Sequence, residues 1–204
     1  MSKFDQLQEY RAFLTRAIKQ PATIGAVLPT SDQVAEAVAE VLPRTGKPTV
    51  LELGPGTGAL SDAIHRHLPR GSLHVAVEVD SEMVRYLEAK KPWLRVMHGD
   101  AKDLVPLLES IGITQVDAVI SSIPWTLLDQ QQQQEVLSEA AAALSPQGVF
   151  TTVTYLTTLW RANTMAFIRT LRDTFEEVLP RSAVWRNLPP ARVYVCRRPT
   201  ISRH

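Results

Sequence analysis

The chain has 204 residues, 45% hydrophobic and 21% charged, with 9 glycines and 14 prolines; this suits one globular domain with at most an appendage and excludes a disordered chain. No stretch approaches the roughly 18 consecutive apolar residues of a membrane-crossing helix, and charges scattered through residues 1–20 are unlike a secretory signal. A single cysteine, Cys196, excludes an intramolecular disulfide and a cysteine zinc site, so the expected compartment is the cytoplasm.

The net charge of +1 is unevenly spread. Residues 181–204 hold Arg181, Arg186, Arg192, Arg197, Arg198 and Arg203 and no acid, and residues 1–20 carry a further net +2. Such ends suit a polyanion or an anionic membrane, or a solvated tail.

In chain order, Phe4, Leu7, Tyr10, Phe13, Leu14, Ala17 and Ile18 form a broad apolar stripe, predicting an amphipathic helix over 4–18 that Pro21 stops. A second helix is expected from Thr30, whose spacing to Gln33 fits a capping box, with Val34, Val38, Val41 and Leu42 inward. Pro43 to Pro48 is a connector. Short apolar runs then alternate with helical stretches: Thr49–Leu53, Leu73–Val79, Arg95–His98, Val116–Ser121 and Gly148–Tyr155. Near-continuous apolar strands separated by helices predict a parallel sheet covered on both faces. Gln130 to Gln134 read as the exposed first turns of a helix capped by Asp129. Phe175–Trp185 and Arg192–Cys196 follow with a Pro189-Pro190 turn and no helix between them, which forces antiparallel pairing. The expected fold is a doubly wound α/β, mostly parallel seven-stranded sheet with a C-terminal antiparallel hairpin. Its expected division is an N-terminal amphipathic helix and cap over 1–30 and a catalytic domain over 31–204.

The sharpest signal is Glu52-Leu53-Gly54-Pro55-Gly56-Thr57-Gly58 at the first strand-to-helix junction. Alternate glycines allow a tight turn and bring a ligand against the main chain. Glu78 closes the next strand 24 positions after Gly54, where a doubly wound fold hydrogen-bonds a ribose diol. His98-Gly99-Asp100 should line the same crevice. The spacing is G-x-G-x-G rather than the G-x-G-x-x-G of pyrophosphate sites, and Pro55 removes an N–H that a phosphate would want. A nucleoside ligand without pyrophosphate fits better.

These motifs, with Val77-Glu78-Val79-Asp80 and Gly99-Asp100-Ala101, resemble the successive cofactor motifs of class I S-adenosylmethionine-dependent methyltransferases. The resemblance implies S-adenosylmethionine as methyl donor and S-adenosylhomocysteine as product. Gly54, Gly56 and Gly58, with Pro55 and Thr57 between them, would hold the methionine and ribose. Glu78, beside Val79, would take the ribose hydroxyls, and Asp100 the adenine amine, with Ala101 stacking nearby. Glu52 would support the loop from behind, and Asp80 would cap the next helix.

The fourth strand ends Ser121-Ser122-Ile123-Pro124-Trp125, similar to the tetrapeptide of amino-methyltransferases that act on adenine. A Pro-stiffened turn presents a polar side chain, a carbonyl and an aromatic face to a nitrogen that gains positive charge. Ser121, at the strand end, is counted with the cofactor contacts; Ser122, Ile123, Pro124 and Trp125, with Tyr10, are the expected catalytic group. Ser122 stands where the family has Asn or Asp.

Upstream, Phe13-Leu14 and Pro21-Ala22-Thr23-Ile24-Gly25-Ala26-Val27-Leu28-Pro29-Thr30-Ser31 resemble the N-terminal signature of bacterial phospholipid N-methyltransferases, as does Ala183 to Ala191 before the last strand. This implies stepwise methylation of phosphatidylethanolamine, through its mono- and dimethyl forms, toward phosphatidylcholine. The enzyme would be peripheral to the inner face of the membrane, held to anionic lipid by the first helix and the basic residues. Proton acceptors for the amine could be Glu82, His98, Asp100 or Tyr10, and Tyr155 is a second phenol to consider. His65, His67 and His74 have no metal spacing, and no metal is predicted. An adenine N6-methyltransferase of RNA is the alternative, although no nucleic-acid partner is expected on the leading reading.

Overall fold

The computed structural model describes residues 31–187 and 189–200. The helix expected over 4–18, Tyr10, the Pro21–Thr30 signature and the proposed Thr30 cap lie outside them.

The first described helix, α1 (Asp32–Ala39), is capped by Ser31, whose hydroxyl accepts from Val34 N. Its buried stripe is Val34, Ala35, Val38 and Ala39. Strand β1 (Thr49–Leu53) leads through the glycine turn into α2 (Ala59–His67), and β2 (Leu73–Glu78) into α3 (Ser81–Lys90). Then come β3 (Arg95–His98), α4 (Leu104–Ser110), β4 (Val116–Ser121), α5 (Gln130–Ala143), β5 (Leu144–Tyr155), α6 (Ala162–Thr174), β6 (Phe175–Pro180) and β7 (Ala191–Pro199).

The strands form one sheet in the order β3-β2-β1-β4-β5-β7-β6. β1 to β5 are parallel, and β7 runs antiparallel to both β5 and β6. This is the expected doubly wound sheet with its terminal antiparallel strands. Alternation along the strands builds two cores. Leu51, Leu53, Val75, Val77, Val119 and Phe150 face α4, α5 and α6. Val50, Ala118, Ile120, Val149 and Val193 face α1 and α2. The order reverses between β1 and β4, so the ligand crevice of such a sheet opens at their carboxyl ends.

Several strand boundaries differ from expectation. β6 ends at Pro180 rather than Trp185, one residue before the last ladder-like bond, from Arg181 N to Val193 O at 2.8 Å. Residues 181–190 form a connection tied back by that bond, by the Val184–Ala191 bridge and by Asn187 Oδ1, which accepts from Ser31 N at 3.0 Å. β5 begins at Leu144, since Val116 pairs with Leu144 before a register shift. Gln133 is also not on an exposed turn. It is buried, and its amide donates to Trp125 O at 2.8 Å and Leu128 O at 3.3 Å. The expected Asp129 cap is present, with Gln132 completing a capping box.

Candidate active site

The turn after β1 is built by glycines in the left-handed region: Gly54 (φ 65°), Gly56 (φ 57°) and Gly58 (φ 79°). Side chains other than glycine are strained there. The three amides are all used inside the protein. Gly54 N donates to Val77 O at 3.0 Å, Gly58 N to Pro55 O at 2.9 Å, and Gly56 N to Glu78 Oε2 at 3.1 Å. The loop therefore offers close approach rather than a nest of donors, which agrees with a ligand lacking pyrophosphate. A Cβ on Gly56 would meet nothing within 4 Å, so open space lies over it. Gly58 has a different reason. A Cβ there would stand 2.1 Å from the stem of Lys91, whose ammonium reaches Asp62 at 2.5 Å.

Glu78 is brought to the loop, as its predicted role requires. It is 3% exposed, and its second oxygen, Oε1, accepts from Asp80 N at 2.9 Å. Burial pushes its pKa up, against the lowering effect of backbone bonds from Asp80, Gly56 and Val79. Two backbone donors fix the carboxylate while each oxygen keeps acceptor capacity. Asp80 itself caps α3, accepting from Glu82 N and Met83 N.

Gly99 N donates to Glu78 O at 3.0 Å. This places Asp100 one strand from Glu78. The Asp100 carboxylate accepts from Lys102 N at 3.2 Å and lies 3.9 Å from the Lys102 ammonium. Ala101 is turned into the core beneath, so stacking on a base is not the role its packing gives it.

Glu52 is fully buried behind the turn. Its Oε2 accepts from Ser61 Oγ at 2.6 Å, which ties the strand to the first turns of α2. His74 Nε2 lies 3.3 Å from the same oxygen without hydrogen-bond geometry. His74 also stands 5.7 Å from the ring of Trp93, against which His65 stacks at 4.0 Å.

The corner after β4 abuts the glycine turn. Ser122 N donates to Leu53 O at 2.9 Å, and a Cβ on Gly54 would lie 3.4 Å from Ile123. Ser121 Oγ accepts weakly from Ile123 N at 3.4 Å. Ser122 Oγ is buried and has no hydrogen-bond partner among the described residues. Such a group normally has a partner, and here a ligand can supply it.

Trp125 departs from its expected place. It is 3% exposed, its indole N–H donates to Thr152 Oγ1 at 2.9 Å, and it stacks on Phe167 at 4.6 Å. Its ring is a core element that fixes the corner rather than a face turned to the acceptor nitrogen. Tyr155 packs with the α1 side of the sheet, and burial raises its phenol pKa, which keeps it protonated at neutral pH. That removes it as a proton acceptor. His98 is exposed, with Nε2 3.1 Å from Val79 O.

A buried carboxylate beside an open glycine turn, at the switch point of a doubly wound sheet, is the place where α/β folds of this kind bind ligands. The open space over Gly56, the fixed Glu78 carboxylate and the unpartnered Ser122 hydroxyl fit an S-adenosylmethionine seat. A methyltransferase-domain family matches residues 50–148. The chain is 26% identical over 194 residues to the ornithine lipid N-methyltransferase of Singulisphaera acidiphila, spanning 94% of this chain and 97% of that one. Over 78 residues it is 37% identical to ribosomal RNA small subunit methyltransferase A of Chlorobaculum parvum, 38% of this chain and 27% of that protein. In fold it resembles a TehB-like methyltransferase from Corynebacterium glutamicum, with a TM-score of 0.61 at 15% identity, covering 94% and 98% of the two chains. The chain thus has the fold seen in S-adenosylmethionine-dependent methyltransferases and carries a methyltransferase-domain match over residues 50–148. Its methyl donor is S-adenosylmethionine.

Proposed function

We propose that this protein transfers methyl groups to the amine of a membrane lipid headgroup, with phosphatidylethanolamine and its mono- and dimethyl forms as substrates. The enzyme works at an anionic membrane surface. The observation that carries the reading is the near full-length similarity to a lipid N-methyltransferase. A bilayer-bound amine must be met at the interface, which suits the amphipathic stripe of residues 4–18.

The donor supplies an electrophilic methyl on a sulfonium, and transfer is an in-line displacement in which positioning does most of the work. Glu78, held by Gly56 N and Asp80 N, receives the ribose hydroxyls. Asp100 lies where the adenine edge is expected. For the primary and secondary amines Ser122 Oγ accepts an N–H and so aims the lone pair along the crevice. Trp125, Thr152 and Gln133 hold that corner still.

The test is incubation with radiolabelled S-adenosylmethionine and, separately, phosphatidylethanolamine vesicles, ornithine-lipid vesicles and ribosomal RNA. Label in the phosphatidylethanolamine phase is expected. Label in ornithine lipid alone would move the headgroup assignment, and label in RNA alone would replace the reading with the alternative, adenine N6-methylation of RNA; the shorter match is to a ribosomal RNA methyltransferase.

A further inference from the structure

Among the described residues, the exposed large apolar side chains are Tyr86, Trp160, Met165, Leu179 and Trp185. All but Tyr86 lie in, or within four residues of, two loops: 156–161 after β5, and 181–190 between β6 and β7. The loops touch each other. Leu156 N donates to Pro190 O at 2.8 Å, next to the Tyr155–Ala191 pair. Both therefore stand at the carboxyl ends of the parallel strands, on the same edge as the glycine turn. Asn163, in the first turn of α6, donates to Thr126 O at 3.4 Å and joins the 156–161 loop to the Ser122–Trp125 corner.

The two indoles are the most exposed of these groups, Trp160 at 79% and Trp185 at 74%. A buried Trp covers about 150–250 Å², so two left in water on one edge call for a partner. The loops carry Arg161, Arg181 and Arg186 and no acid. Arg181 is engaged by Glu40 at 2.9 Å, while Arg161 and Arg186 are exposed. The Arg161 guanidinium lies 5.9 Å from the Trp160 ring centre.

Tryptophan with arginine is the composition of a membrane–water interface. The indole sits at headgroup level with its N–H hydrated, and the guanidinium reaches lipid phosphate. Aromatic and basic groups also suit single-stranded RNA. Met165 and Leu179, however, add aliphatic surface that a base cannot stack on and an acyl layer can take up.

We infer that Trp160 and Trp185, flanked by Arg161 and Arg186, form a docking edge that seats the mouth of the active site on the headgroup layer of an anionic bilayer. This rests on the lipid-amine reading of the site. It adds a second contact, built on the catalytic domain itself, to the one expected from the N-terminal helix. Two contacts rather than one would fix the orientation of the crevice to the membrane.

The test uses the full chain and vesicles of phosphatidylglycerol and phosphatidylcholine with brominated acyl chains. No primary amine is present, so binding is read without methyl transfer. Wild-type tryptophan emission should shift to the blue and be quenched. The Trp160→Ala/Trp185→Ala variant should lose most of the quenching and bind vesicles at least tenfold more weakly, with unchanged S-adenosylhomocysteine affinity showing that it is folded. Arg161→Glu/Arg186→Glu should weaken binding most at low salt. Equal vesicle binding by wild type and the Trp variant, without quenching, would overturn the proposal. So would emission that responds to poly(U) RNA and not to vesicles, or a dimer that the Trp variant abolishes while vesicles have no effect. Tryptophan-dependent vesicle binding with no methylation of any lipid amine would sink the substrate reading and leave the docking edge standing. Methylation of detergent-dispersed lipid, with vesicle binding indifferent to the tryptophans, would do the reverse.

Discussion

Replacing Glu78 by Ala tests the seat of the nucleoside. Two ribose hydroxyls on an ionised acceptor are each worth about 1.5–3 kcal/mol, so the low end for the pair is about 3 kcal/mol. Part of that returns, because a carboxylate no longer has to be held ionised in a site where burial disfavours it. If half returns, about 1.5 kcal/mol remains, which is about tenfold in affinity. Glu78→Ala should therefore weaken S-adenosylhomocysteine binding by tenfold or more in isothermal calorimetry. An affinity within twofold of wild type would refute the role. The pH dependence has a definite sign. Burial holds the folded-state pKa of Glu78 above that of an ordinary glutamate, so affinity should begin to fall, on acidification, at a higher pH than an ordinary glutamate would give. Glu78→Gln should bind weakly and without that dependence. For the unliganded fold, the contribution of this group is fully present below the ordinary glutamate pKa and is lost as pH rises through the elevated one.

Other expectations concern the corner and the interface. Gln133→Leu leaves the carbonyls of Trp125 and Leu128 without its amide, so it should cost about 1–3 kcal/mol in chemical denaturation and lower kcat more than cofactor affinity. Trp125→Ala empties a site between Phe150 and Phe167 and should cost about 3–5 kcal/mol. Trp125→Phe should retain most methyl transfer, and a thousandfold loss in a folded Trp125→Phe protein would restore the indole to the chemistry. Deleting residues 1–20 should reduce liposome pelleting far more than S-adenosylhomocysteine binding, and unchanged pelleting would contradict an interfacial first helix.

The parts of the site written in local chemistry were legible before the fold was known. Alternate glycines need positive φ wherever they occur, and a carboxylate at the end of the second strand falls opposite the first turn by the geometry of parallel pairing. The Glu78–Gly56 bond follows from those two facts. What escaped reading depends on residues distant in sequence. Trp125 faces inward because Phe167, on α6, supplies its stacking partner. Gly58 is confined by Lys91, at the far end of α3. Gln133 did carry a signal, since with Val136, Leu137 and Ala140 it occupies positions i, i+3, i+4 and i+7 of one buried stripe, and the surrounding glutamines masked it. The two exposed tryptophans lay in segments read as strand or connector, and only the shared edge of the sheet brings them together.

The most direct measurement is a crystal structure of the protein with S-adenosylhomocysteine. The ribose hydroxyls should bond to the Glu78 carboxylate, with adenine toward Asp100 and the sulfur facing Ser122 and Pro124. A nucleoside bound elsewhere, or one that leaves Glu78 without contact to the ribose, would contradict the seat on which the lipid-amine chemistry is built.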